Sequence, residues 1–95
     1  MCAPAALAGC NRPPAPSKIP DGATATMTVM VTTMQTVKEY NDDVQTYLKC
    51  LDFEARQNQM SSDSVVSLHN SAVSQLKQIT AEFNAQVRIF KSKHS

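Results

Sequence analysis

The chain has 95 residues, enough for one small domain, and carries nine basic and eight acidic residues for a formal net charge of +1. That balance gives neither nucleic acid nor an acidic membrane a hold on the chain as a whole. Aromatic residues are 5% and Gly occurs twice, which leaves material for an apolar stripe rather than a thick core and argues against a turn-rich β fold.

The first segment, residues 1–8, is small or apolar after Met1, and Ala6-Leu7-Ala8 fits the small-x-small pattern at which exported proteins are cleaved. It reads as the remnant of a signal peptide, without the basic start and longer apolar run of a complete one. Cleavage there begins the mature chain at Gly9-Cys10. Leu7-Ala8-Gly9-Cys10 also matches a bacterial lipobox, in which Cys10 becomes the acylated first residue. Cysteine arithmetic separates the two outcomes. With Cys2 removed, Cys10 and Cys50 form an even pair suited to an oxidising compartment, whereas acylation of Cys10 strands Cys50 as an odd thiol. A Cys10–Cys50 disulfide is the expectation, and a lipid-anchored envelope protein the alternative.

Residues 9–23 contain Pro13, Pro14, Pro16 and Pro20 and should be extended. Pro20-Asp21-Gly22 signals a turn. A first helix is expected over about residues 24–60, capped by Thr24 or Thr26, with a heptad seam of Met27, Met30, Met34, Val37, Asn41, Val44, Leu48, Leu51 and Ala55. "TATMTVMVTT" would suit a strand by composition, but its methionines stay in phase with the later seam, so helix is preferred. The helix should fade near Asn58–Met60. After a Ser-rich loop, Ser62 or Asp63 should cap a second helix over about residues 63–92, whose seam is Val65, His69, Ala72, Leu76, Ile79, Phe83, Val87 and Phe90. Folding back near residue 62 sets Leu51 against Ala72, Val44 against Ile79 and Val37 against Val87, apolar layer on apolar layer. The fold class is therefore all-α, a long antiparallel two-helix hairpin of coiled-coil type. No apolar run is long enough to cross a membrane.

A minor stripe on the first helix, Tyr40, Tyr47, Cys50 and Phe53, needs a cover that the second helix cannot supply. Thr24 to Cys50 spans about 39 Å of helix, and Cys10 to Thr24 about 43 Å of polyproline II. The Pro-rich segment is thus the right length to fold back along helix 1, docking Ile19 and its prolines on Tyr40, Tyr47 and Phe53 and bringing Cys10 to Cys50.

"C…P…P…IPDG…AT", "VKEYNDDVQTYLKCLDFE" and "EFNAQVRIFK" resemble a group of small exported, periplasmic α-helical proteins of Gram-negative bacteria. That group has a Pro-rich N-terminus, a Tyr-Leu-x-Cys-Leu-Asp motif and a last helix ending Phe-Asn-x-Gln-x-Arg-x-Phe/Tyr-Lys. The resemblance spans most of the mature chain. It implies export and pairing of Cys10 with Cys50, and it supplies no catalytic residue. This chain departs from it in its missing leader and its Thr/Met-rich start to helix 1.

Chemical constellations are weak. Met27, Met30 and Met34 are soft ligands for Cu(I) in principle, but seam positions make them core residues. His69 falls on the seam and His94 in a fraying end, and no Cys–His spacing suits zinc. Asp42-Asp43 and Asp52-x-Glu54 do not converge on one helix face, while Lys38–Asp42 and Asp52–Arg56 are ordinary i,i+4 pairs. No nucleophile motif or phosphate loop occurs. The reading is a non-enzymatic structural or interaction protein of the periplasm, with no metal, cofactor or small-molecule substrate. Its partner would be an envelope protein, or a second copy forming a four-helix bundle through Val66, Leu68, Val73 and Val87, with Asn41 selecting register.

Overall fold

In the computed structural model, residues 10–57 and 61–94 are described, and the regular structure among them is two helices, α1 (Met27–Arg56) and α2 (Ser62–His94), packed on each other. The proposed signal remnant, residues 1–8, and the expected end of helix 1 at Asn58–Met60 lie outside the described residues.

Local chemistry sets the helix boundaries. Asp21 organises the turn before α1: its carboxylate accepts from the Ala23 N–H at 2.9 Å, and its carbonyl accepts from the N–H groups of Thr24 and Ala25 at 3.1 and 2.9 Å. Thr26 then caps α1, its hydroxyl accepting from the Val29 N–H at 3.2 Å. The Thr-rich first turns are helical because the hydroxyls of Thr33 and Thr36 donate back to the carbonyls of Val29 and Thr32, which satisfies them without leaving the helix. α2 is capped by Ser61, one residue ahead of the expected Ser62 or Asp63. Its hydroxyl accepts from the Ser64 N–H at 3.1 Å. At the far end His94 belongs to α2 instead of fraying: its ring stacks on Phe90 at 4.0 Å between centroids, and Nδ1 lies 2.9 Å from the Phe90 carbonyl.

The core has two clusters. The larger joins Tyr40, Val44, Tyr47 and Leu51 of α1 to Ala72 and Ile79 of α2, and Cys10, Ala15 and Ile19 of the N-terminal segment pack against it. The smaller joins Met30 to Phe83 and Phe90, with Ile19 and Val37 touching both clusters. Residues 10–20 thus form a third, extended layer. It reaches α2 as well as α1: Arg12 and Gly22 bond to side chains of α2, while Cys10 is bonded to α1. The expected path along helix 1 becomes a path over the groove between the helices.

This third layer turns α1 away from its expected seam. The buried arc is centred between the heptad seam and the tyrosine stripe, because a helix with two neighbours on one side buries the surface facing both. Tyr40 and Tyr47 are 4% and 5% exposed and are core residues. Met27 and Met34, assigned to the seam, are 63% and 51% exposed, and Asn41 and His69 face solvent. Asn41 therefore selects no register within the hairpin. Among the described residues no buried side-chain nitrogen or oxygen lacks a partner, and the tyrosines make no hydrogen bond. Their rings are covered while their hydroxyls keep contact with water. The Cα extents are 53 × 30 × 15 Å, an elongated and flattened shape in which the extended segment adds a layer over the helix pair.

Candidate functional site

Two places on this slab carry chemistry. The first is where the N-terminal segment is bonded to α1. Cys10 and Cys50 form a disulfide across a separation of 40 residues, with Cα atoms 5.7 Å apart, inside the ordinary range for such a bond. Cys50 can be reached because α1 places it one residue before fully buried Leu51, at the edge of the covered arc. Cys10 is brought there by anchors spread along the extended segment. The Arg12 guanidinium donates to Ser71 Oγ at 2.9 Å, to the Ser71 carbonyl at 3.2 Å and to Gln75 Oε1 at 2.8 Å. Ala15 and Ile19 supply apolar contacts. The Gly22 N–H donates to Gln86 Oε1 at 2.8 Å.

Gly22 is buried, and a Cβ there would overlap the Gln86 carbonyl oxygen and crowd the Phe90 nitrogen at 3.0 Å. Only glycine lets the turn lie this close to α2. Burial holds the Tyr40 phenol above its ordinary value, while the charge of Arg12 opposes that rise. An open cleft of about 520 Å³ borders the bond, lined by Cys10, Arg12, Pro13, Asp43, Tyr47 and Cys50. Glu54, one turn beyond Cys50, is half-buried beside the bond. A carboxylate oxygen of Glu54 and the two sulfur atoms all lie within 4.8 Å of one another. Arg56 pairs with Asp52 at 2.6 Å, leaving Glu54 without a hydrogen bond or ion pair among the described residues.

The second place is the other end of the hairpin. Met27, Met30, Val31 and Met34 of α1 and Phe83, Val87 and Phe90 of α2 line a groove of about 220 Å³ with Lys91 at its rim. Met27, Val31 and Met34 are exposed along this groove, an apolar surface that the heptad reading had placed in the core or ignored.

The structure distributes the sequence-derived residues as follows. Ile19, Tyr40 and Tyr47 are brought together with Cys10 in or against the main core. Phe53 is not: it is 61% exposed, because the extended segment crosses toward α2 instead of following α1 to that face. Of the four residues expected to meet a second chain, only Val66 is exposed. Leu68 packs on the main cluster, Val87 packs on the smaller one, and Val73 is half-buried. Those four do not form one free surface. Arg12, Gln75, Gln86 and Glu54 were missed. Their signals were present in the spacing: Gln75 and Gln86 share one face of α2, and Glu54 shares one face of α1 with Cys50.

Among the described residues no helix is long and apolar enough to cross a membrane. Comparison of the chain with protein-family models, with curated proteins and with solved structures finds no match.

Proposed function

We propose that the protein is an exported, non-enzymatic interaction module of the bacterial envelope, a periplasmic helical hairpin braced by a covalently fastened N-terminal segment. The observation that carries this reading is the Cys10–Cys50 disulfide, since such bonds form and persist in oxidising compartments. It also favours this reading over the lipoprotein alternative, because the Cys10 sulfur committed to Cys50 is not free for acylation. A flattened two-helix hairpin with open clefts suits surface recognition better than the enclosure of a substrate. The surface offered to a partner is the methionine end, where Met27, Val31 and Met34 leave apolar area uncovered in a single chain. A second copy is the simplest partner, since twofold pairing covers the same patch on both chains.

Fractionation followed by peptide mapping without reduction tests the compartment and the bond together. A linked Cys10–Cys50 peptide in the periplasmic fraction is expected. An acyl mass on Cys10, or two free thiols in a cytoplasmic fraction, overturns the reading.

A further inference from the structure

We propose that in the dithiol form of this protein Cys10, Cys50 and Glu54 bind a thiophilic divalent cation of the zinc class. Two sulfurs and one carboxylate oxygen lie within 4.8 Å of one another, and they come from two separate segments of chain. A tetrahedral zinc ion takes thiolate at about 2.3 Å and carboxylate at about 2.0–2.2 Å, which holds such donors roughly 3.5–3.8 Å apart. The carboxylate need move no more than about an ångström closer, and the sulfurs must part from bonding distance. Both are side-chain rotations, because the Cys10 and Cys50 Cα atoms already stand 5.7 Å apart and Glu54 lies on the same face of α1 as Cys50.

Three further observations support the site. Glu54 is half-buried beside the sulfurs and spends its carboxylate on no other partner among the described residues. Cys10 does not depend on the sulfur bond alone for its position, because Arg12, Ala15, Ile19 and Gly22 each fasten its segment to the helices. The cleft bordered by Cys10 and Cys50 opens to solvent, leaving room for water as a fourth ligand and a path for the ion.

The chemistry balances. A dithiol reductant transfers two electrons and two protons to the disulfide, giving two cysteine thiols and its own cyclic disulfide. The divalent ion then displaces both thiol protons and takes the Glu54 carboxylate as its third protein ligand. Reoxidation by a disulfide oxidant, which takes up the two electrons with two protons from solvent and leaves as a dithiol, converts both thiolates to the disulfide and releases the ion. The N-terminal segment is therefore fastened to α1 in either redox state, by a sulfur–sulfur bond or by a metal. This inference does not rest on export and stands or falls separately from it.

Cobalt(II) is the probe. Full-length protein is reduced, freed of reductant without air and titrated, with helix content followed by circular dichroism because binding and folding share one equilibrium. One equivalent per chain is expected, with thiolate-to-cobalt charge-transfer absorption and tetrahedral visible bands, both lost on adding zinc. The oxidised protein should give neither signal, and Cys50→Ser should abolish both. Glu54→Gln, which keeps both thiols, should weaken zinc binding by at least about tenfold. Equal binding by the oxidised protein, unchanged affinity in Glu54→Gln, or no thiolate absorption from the reduced chain, folded or unfolded, each overturns the proposal.

Discussion

Removing the disulfide with Cys10→Ser/Cys50→Ser should destabilise the protein while changing its native shape little. The bond closes a loop across 40 residues, and in the unfolded chain that closure removes about 13 cal/mol/K of entropy, or about 4 kcal/mol at room temperature. For a domain this thin, about 4 kcal/mol is a large part of the total stability. With a urea slope of about 1.3 kcal/mol per molar, the midpoint should fall by about 3 M. The slope itself should rise in the variant, because its unfolded state is no longer held compact by the cross-link. Urea titration of both proteins, followed by far-ultraviolet circular dichroism, measures midpoint and slope together. A loss below about 1 kcal/mol with an unchanged slope would show that the loop is already closed in the unfolded chain, and would refute the reasoning.

Gly22→Ala should cost about 1–3 kcal/mol, since the turn must lift off Gln86 and Phe90 to admit a methyl group; a thermal melt equal to that of the parent would contradict this. Leu51→Ala, at a fully buried position, should cost about 2–5 kcal/mol, whereas Asn41→Ala at an exposed one should be nearly neutral, which denaturant titration of the pair checks directly. Tyr40 should ionise above its ordinary value of 10.0, because burial disfavours the phenolate, and Arg12→Ala should raise it further by removing a favourable charge. Since the folded state holds this proton more tightly, the associated stability is present below the unfolded value and is lost as pH rises through the folded one; tyrosinate absorbance against pH follows it. Met34→Asp should abolish any self-association seen by sedimentation equilibrium while leaving the monomer folded, because Met34 is largely exposed within one chain.

The helices and their antiparallel pairing were legible from apolar spacing alone, and the meeting of Cys10 with Cys50 from two path lengths. The phase of α1 was not. A heptad seam assumes one partner helix, and the extended segment is a second neighbour whose contribution, Ala15 and Ile19, is too slight to register as a periodic signal. Its arrival draws Tyr40 and Tyr47 into the core and leaves Met27 and Met34 outside. The same cause hid the polar anchors. Gln75 and Gln86 read as solvated helix residues until Arg12 and Gly22 lie across them, and Glu54 gains its meaning only once Cys10 is beside it. Leu68 lies beside the expected seam of α2 and Val87 on it, and both pack against the hairpin's own core clusters, which leaves Val66 the exposed member of the four residues expected to meet a second chain.

The disulfide also divides the chain mechanically. The residues from Cys10 to Cys50 form a closed ring that holds the extended segment and most of α1, while all of α2 lies beyond it. A pull applied at the N-terminal side enters at Cys10 and passes straight to Cys50, so the first turns of α1 bear no load. The ring hides a separation of 40 residues, roughly 140 Å of chain that no extension can release while the bond is intact. Load therefore falls on the chain beyond Cys50, which includes all of α2, and reduction lengthens the tether by up to that hidden amount.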